Sequence, residues 1–530
     1  MSTAVSAPVV TDSTDKPKPQ AETNVFAVHG ADPEVLAYAM AKYSRSALSM
    51  KESLKELNEQ KAEQFLNTFY FQYGHRSIAD LAHIAFAIEK LSLLAAIALV
   101  DEQRWDGQER STRYQNFKKS GWYTPKFVDD ATSAALYEET IKFLFAEYEV
   151  FSEGMFRWLE ERTPKPTEMD QGQYDRTLKA RAFDLSRYLL PLATNTSLGQ
   201  IVNARTLENQ IARLLSHTHQ EVRDLGERLK QAAKEPSFNV NNAKVEQRLS
   251  AIRESHPDIY ETLRAELLRD VRVAPTLVKY AHASEYEINT RRDLAQVARE
   301  LMKDAAIAPV KAVELLDVDD IDLEIATTLL YSACHYPYKQ LREAVAAMSG
   351  SRRNEIIEIA ARKNRGKHDE LLRAFSAGQR FRFDILMDVG GFRDMHRHRK
   401  CTQIMQDYTT AHGFDVPQEI KDAGMTGRYE IAMARAADAQ RQIASSAALG
   451  EQAEPTSHYV LPLAYRKRCL FTMDFAEVLY ISELRTTEAG HWSYRKVAHE
   501  MYQAVADRYP ALGSYFRVTD INKPVDLLKR

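Results

Sequence analysis

The sequence predicts an α+β fold built twice in tandem, mainly helical with a small antiparallel sheet in each half. Two internal echoes and the chain length lead to it. Leu190-Pro191-Leu192-Ala193 returns without a gap as Leu461-Pro462-Leu463-Ala464, and each copy runs on into amphipathic helical periods. Tyr73 to Leu99 and His335 to Val389 each lead from a His-containing turn to an apolar stretch and a polar loop. At 530 residues, with 44% hydrophobic and 27% charged side chains, the chain exceeds a single core and predicts roughly two to four folded units.

From the N-terminus onward, residues 1–24 are polar, Pro- and Thr-bearing, and predict a disordered tail. Residues 25–245 form the first expected domain, 246–269 a helical linker, and 270–530 the second domain. Within the second, Met348 to Leu372 reads as a charged helical insertion. Phe381 to Gly391 alternates apolar and polar residues like a half-buried strand and ends in a Gly390-Gly391 turn.

Composition narrows the function. A net charge of −3 gives no broad drive toward nucleic acid, so an anion site has to be a local pocket. The three cysteines, Cys334, Cys401 and Cys469, make neither a CxxC pair nor a disulfide framework, which fits a reducing cytoplasm. The longest strongly apolar run, Leu91 to Val100, is far shorter than the ~20 residues of a membrane span. The N-terminus lacks the charged-then-apolar order of a secretion signal. Neither a membrane nor a nucleic-acid polymer is an expected partner.

The chemistry-bearing stretch is Arg393 to Thr410, which sets Arg397, His398 and Arg399 side by side after the predicted strand. Forked guanidinium donors suit phosphate or a delocalised anion, and a histidine between them can donate or accept near neutral pH. Two plainer uses stay open: a solvated basic surface and, through His396-x-His398, a metal. His217 and His219 raise the same metal question, but no Asp/Glu/His set stands at helical i, i+4 spacing, so no metal is expected. Trp105, Tyr114, Trp122 and Tyr123 serve either core packing or stacking on a flat ligand. No Gly-x-Gly-x-x-Gly follows a strand, so a Rossmann site is unsupported.

Together these motifs resemble the flavin-dependent thymidylate synthases, the ThyX family. That family carries an Arg-His-Arg followed by Ser-x-Arg-Tyr, an upstream Gly-His turn, and a later Arg-x-x-Leu-Pro with an Asn-x-Arg helix and a further arginine. Here the pieces are divided between the halves. The second half has Arg397-His398-Arg399, but Asp407, Tyr408 and Thr409 stand where the family has Ser-x-Arg. The first has Ser111-Thr112-Arg113-Tyr114, but Asp101-Glu102-Gln103 in place of Arg-His-Arg. The first keeps Gly74-His75, Arg187, Asn203, Arg205 and Asn209, whereas the second has His458, Asp474, Ala476 and Tyr480 opposite the last four. Arg485 of the second half pairs with Arg213 across a one-residue gap.

The resemblance implies two thymidylate-synthase-complementing-type domains that together make composite sites. It implies FAD contacts from His75, Asn203, Arg205, Asn209, Arg397, His398 and Arg399. It places the dUMP phosphate on Ser111, Arg113 and Arg187, with Arg397 also touching the nucleotide and Arg485 at the uracil ring. Arg397 and Arg485 are then the expected catalytic pair. The implied reaction makes dTMP, with methylenetetrahydrofolate as carbon donor and NADPH as reductant of FAD. Because the family forms homotetramers, two tandem chains imply a homodimer of pseudo-tetrameric shape. Two other classes stay open: a degenerate relative that binds flavin or nucleotide without turnover, and a flavoenzyme acting on another pyrimidine or folate.

Overall fold

The computed structural model describes residues 30–42, 66, 76–285, 287–289, 292, 295, 311–316, 320–331, 338–363, 371, 373–376, 380–523 and 526–528. They are mostly helical and contain two small antiparallel sheets. The expected tail, His75 and Cys334 lie outside the described residues.

Each half is organised around one sheet. In the first, β1 (His83–Ser92) pairs with β3 (Asn195–Asn203), which also pairs with β2 (Asp106–Glu109). In the second, β5 (Phe381–Asp388) and β6 (Thr402–Met405) flank β7 (Arg466–Met473) in the same way, and β4 (Val313–Leu315) adds an edge on β5. The inward faces follow the two-residue period: Phe381, Phe383, Ile385 and Met387 are buried along β5, while Arg382 is exposed.

Strands β1 and β5 each run directly into a short buried helix, α1 (Leu93–Leu99) and, in the second half, Val389–Met395. The strand's last residue caps the helix in each case: Ser92 accepts from Ala95 N at 2.9 Å, and Asp388 from Gly391 N at 2.6 Å. The Gly390-Gly391 pair, expected as a turn closing the strand, is therefore the first turn of a helix. Gly391 is needed there because a Cβ would sit 2.7 Å from Ser493 Oγ. The cap is locked by a partner whose chemistry is swapped between halves. In the first half, Glu221 accepts from Ser92 N and Oγ at 2.8 and 2.6 Å; in the second, Ser493 donates its hydroxyl to Asp388.

The remaining helices needed here are α2 (Ala131–Arg162), α3 (Gln171–Ser186), α4 (Ala204–Leu215), α5 (Gln220–Lys234), α6 (the Val389–Met395 helix), α7 (Thr426–Ala444), α8 (Phe475–Arg485) and α9 (Trp492–Arg508). Asn203 and Asp474 cap α4 and α8 by the same bond, to Thr206 N and Glu477 N. Across the halves, α2 meets α7 through Glu147, which accepts from Arg428 at 2.5 and 2.9 Å, and through the Phe151–Tyr429 ring contact.

The echoed Leu-Pro-Leu-Ala strings bind each other. Leu192 N donates to Leu461 O and Leu463 N to Leu190 O, at 2.9 and 3.0 Å. Ala193 N donates to Tyr459 O and Ala464 N to Tyr188 O, at 3.0 and 3.2 Å, with Pro191 opposite Pro462. Such reciprocal pairing of like residues is the signature of a local two-fold axis, here inside one chain.

Between the halves run the helices Asn242–Ser250 and Pro257–Leu267. The chain then returns to the first half. Arg269 pairs with Asp32, and Thr276 and Leu277 N donate to Glu34 at 2.9 and 2.8 Å. The charged segment after Met348 contains the helix Gly350–Glu358.

Candidate functional site

The turn after α6 carries the basic triplet to the boundary between the halves. Arg399 Nη1 donates to the carbonyls of Val100 and Glu102 at 2.6 and 3.2 Å, and its guanidinium lies 4.6 Å over the Trp105 ring. On α6 itself, Arg393 donates to Thr112 Oγ1 at 3.2 Å and pairs with Glu109, whose other oxygen is 3.9 Å from Arg397. From the first half, Arg187 donates to the same Thr112 Oγ1 at 3.3 Å and comes within 3.9 Å of Asp394. One hydroxyl oxygen thus accepts from two guanidinium groups, one from each half.

Behind this node sits Asp184, at the end of α3. Arg113 Nε donates to it at 2.9 Å, Arg187 Nε is 3.4 Å away, and His491 Nδ1 is at 3.0 Å. Burial opposes the Asp184 charge, but His491, Arg113 and Arg187 outweigh it and hold the carboxyl well below its usual range. Burial pushes His491 down to about 4, so its ring is neutral. We therefore assign the proton to Nδ1, facing Asp184, while Nε2 accepts from Tyr188 Oη at 2.7 Å. Arg113 donates its other nitrogens to Tyr494 Oη and Ala489 O at 2.9 and 3.0 Å.

Arg485, at the end of α8, completes the cluster. Its Nε donates to His398 Nε2 and its Nη2 to the backbone carbonyl of Asp394, both at 2.8 Å. His398 must then carry its proton on Nδ1, toward Glu477 at 3.3 Å, and burial holds it below the ordinary histidine range. Burial also works against the Asp394 charge, yet Arg187, Arg397, Arg113 and Arg485 keep that carboxyl ionised below its usual range. Guanidinium groups of Arg113, Arg187, Arg393, Arg397 and Arg485 are thus interleaved with the carboxylates of Glu109, Asp184, Asp394 and Glu477.

Several donors remain unmet. Arg187 and Arg393 are only 2% and 7% exposed, yet Arg187 Nε and Nη2 and Arg393 Nε have no hydrogen-bond partner. Buried donors of this kind carry a desolvation cost that an oxyanion would relieve. The adjoining cleft, lined by Trp105, Glu109, Arg393, His396, Arg397 and Arg399, measures about 20 Å³.

Of the expected site residues, Arg113, Arg187, Arg397, His398, Arg399 and Arg485 meet here. Ser111 is adjacent, its Oγ accepting from Arg113 N at 3.2 Å. Asn203, Arg205 and Asn209 are differently engaged: Asn203 caps α4, Arg205 pairs with Asp80 at 3.1 Å, and Asn209 is exposed. Trp105 is a core residue that also stacks under Arg399, its Nε1 donating to Gln200 at 2.7 Å. The acids Glu109, Asp184 and Asp394, and His491 and Tyr494, belong to no motif read from the sequence. Arg393 and Asp394 stood within the stretch that drew attention, but outside its basic triplet.

The local axis generates a second, equivalent location. There Arg213 donates to Glu102 and to Ala98 O at 2.9 and 2.8 Å, as Arg485 does to His398 and Asp394 O, which makes Arg213 its counterpart. Tyr408 stands opposite Thr112 and His458 opposite Arg187. Lys467 lies 3.9 Å over the Tyr408 ring, and Tyr408 packs on His458 at 5.7 Å between centroids. His217, His219 and His458 follow in series through contacts of 3.3 and 3.2 Å. Among the described residues no group of His, Cys, Asp or Glu is arranged to hold a metal, and no helix is long and apolar enough to cross a membrane.

Comparison with known proteins gives this geometry a context. A UPF0159 protein of Chlamydia muridarum is 29% identical over 529 residues, spanning 95% of this chain and 93% of the relative. A UPF0159 protein of Thermoplasma acidophilum is 25% identical over 520 residues, 91% and 94% of the two chains. A flavin-dependent thymidylate synthase of Clostridium tetani is 24% identical over 211 residues, covering 39% of this chain and 81% of that one. A UMP/dUMP methylase of Streptomyces cacaoi, bound with 5-Br dUMP, covers 38% of this chain and 93% of its own at 17% identity and a TM-score of 0.30. The thymidylate synthase complementing protein family, Thy1, matches residues 27–236 and again 324–511, so each half carries its own copy of the pattern. The chain belongs to the thymidylate synthase complementing protein family, with the family's sequence present twice.

Proposed function

We propose that the chain carries out reductive methylation of dUMP to dTMP, with FAD, NADPH and methylenetetrahydrofolate, at one composite site per chain. The observation that supports this most directly is the shared Thr112 hydroxyl, on which Arg187 of the first half and Arg393 of the second converge. In this reading Ser111 and Arg187 hold the nucleotide phosphate, and Arg113 braces Asp184 behind it. Arg397 orders the nucleotide against the flavin, with His398 and Arg399 supporting that turn. Arg485 stabilises negative charge developing on the uracil ring, as a preformed donor does best in a site closed to water. A bound flavin supplies the hydride chemistry that no side chain here can provide.

The unmet arginine donors suit phosphate groups, but a cleft of about 20 Å³ does not house a flavin ring. In this reading the flavin sits between two chains, with His75, Asn203, Arg205 and Asn209 serving it from the partner. A homodimer supplies the four copies of such a pseudo-tetramer, and residues 25–245 and 270–530, joined by 246–269, act as its subunit equivalents. The reducing cytoplasm is the compartment this chemistry fits.

One observation favours a second reading, binding without turnover: all three Arg113 nitrogens already have protein partners. The deciding experiment combines the visible absorbance of the purified protein, its change on adding dUMP, and tritium release from 5-labelled dUMP in the presence of NADPH and methylenetetrahydrofolate. Release that disappears in Arg397→Ala and Arg485→Ala supports catalysis. A yellow protein that responds to dUMP but releases no tritium establishes the second reading. A colourless protein without dUMP binding defeats both.

A further inference from the structure

We propose that Asp394 is a built-in counter-anion of the arginine cage, competing with the phosphate of an incoming ligand and so setting its affinity. This deepens the function proposed above and rests on that site, though not on its chemistry.

Three geometric facts lead there. Arg187 and Arg393 flank one hydroxyl, and three of their buried nitrogens make no hydrogen bond, Arg187 Nε lying 3.4 Å from Asp184, so the pair keeps donor capacity for an oxyanion. The Asp394 carboxylate stands next to that array but does not satisfy it. Its nearest approach to Arg187 is 3.9 Å, beyond a hydrogen bond, while its backbone carbonyl is fixed by Arg485 at 2.8 Å. Finally, the matching position across the local axis is Ala98, whose carbonyl is held by Arg213 in the same way. The backbone role therefore needs no carboxylate, and the acid occurs only where arginines crowd.

The physical consequence is twofold. In the free protein a carboxylate beside Arg187 offsets the cost of holding guanidinium groups out of water. When a dianionic phosphate enters, the same charge opposes it across a few ångströms of poorly screened interior. The cage is thus tuned for moderate rather than maximal phosphate affinity, which favours release of a phosphorylated product.

The test uses the full chain and inorganic phosphate, titrated calorimetrically at low and moderate salt. Asp394→Asn keeps size and loses charge; it should bind phosphate at least about tenfold more tightly than the unaltered protein. Adding Arg187→Gln to that variant should abolish the gain. If Asp394→Asn unfolds, Asp394→Gln provides the same comparison, with circular dichroism confirming the fold. Unchanged or weaker phosphate binding in a folded neutral variant overturns the proposal, as does a gain that survives Arg187→Gln. The outcome separates from the enzymatic reading. Tighter phosphate binding in a protein that never turns over dUMP sustains the counter-anion and removes the synthase. Normal tritium release with no effect of Asp394→Asn on phosphate does the reverse.

Discussion

The two locations related by the local axis share a scaffold and oppose each other in content. In one, Arg113, Arg187 and the Arg397–Arg399 turn surround two carboxylates and leave donors unmet. In the other, Thr409, His458 and Asp101-Glu102-Gln103 occupy the matching positions, and the Tyr408 ring lies between His458 and Lys467. The backbone bonds that create both places repeat almost atom for atom: Leu93 N to Thr194 O and Leu94 N to Leu192 O correspond to Val389 N to Tyr465 O and Gly390 N to Leu463 O. A duplicated frame thus tolerates loss of one site as long as its buried volume is refilled. An aromatic ring and neutral histidines do so at lower electrostatic cost than arginines without a ligand.

The contrast is most sharply broken by removing an arginine and its counterpart in parallel. Arg187→Ala leaves Asp184 and Asp394 short of a partner, and should cost about 3–5 kcal/mol of stability and about 100-fold or more in dUMP affinity. His458→Ala should cost about 1–2 kcal/mol and leave dUMP binding unchanged. Denaturant unfolding and calorimetry measure both; equal losses of dUMP binding would erase the distinction between the sites.

The titration of the two sites gives the next largest effect. Burial holds both His491 and His458 near about 4, below the ordinary 6.5. The unfolded chain therefore binds more protons between these values, so stability is complete above about 6.5 and falls as pH drops toward 4, by up to roughly 3 kcal/mol per ring. His458→Asn should flatten part of that fall in thermal melts without changing dUMP binding. An unaltered pH slope in this variant would contradict the assignment.

Lys467 gives an effect of the same sign at the alkaline end. Burial lowers its ammonium to about 8 from the ordinary 10.5, so the folded protein sheds that proton first, and stability should rise between those values. Lys467→Met should add roughly 2–3 kcal/mol at neutral pH and remove the alkaline rise in a melting series. A loss of stability would show that the cation holds the site together.

The smallest expected effect is also informative. Asp407→Ser with Thr409→Arg restores the family's Ser-x-Arg in the second half, yet the Tyr408 ring and His458 still fill the space. A second dUMP equivalent in the titration would show that the closed site reopens with two substitutions, contrary to this comparison.

Much of this organisation was legible before the fold. The Leu-Pro-Leu-Ala echo is an exact repeat in sequence, and a strand or helix period survives in any window that buries one face. The Arg397-His398-Arg399 and Ser111-Thr112-Arg113 pieces were visible because motifs are local. Even their mismatched counterparts could be aligned, except for Arg213 and Arg485, where only the repeated bonds to Ala98 O and Asp394 O resolve the one-residue gap. What lay beyond the sequence is partnership. Asp184 is an ordinary helical acid until folding places it against Arg113, Arg187 and His491, and Asp394 looks like one more charge in a basic run. Thr112, read only as the spacer inside Ser-x-Arg, becomes the oxygen on which two arginines meet. Sequence by itself determined the duplication, the helical class and the residues of the basic turn, because those depend on neighbours within a few positions. Tertiary structure alone decided which charges face each other, because electrostatic pairing acts through space across hundreds of residues and leaves no periodic trace along the chain.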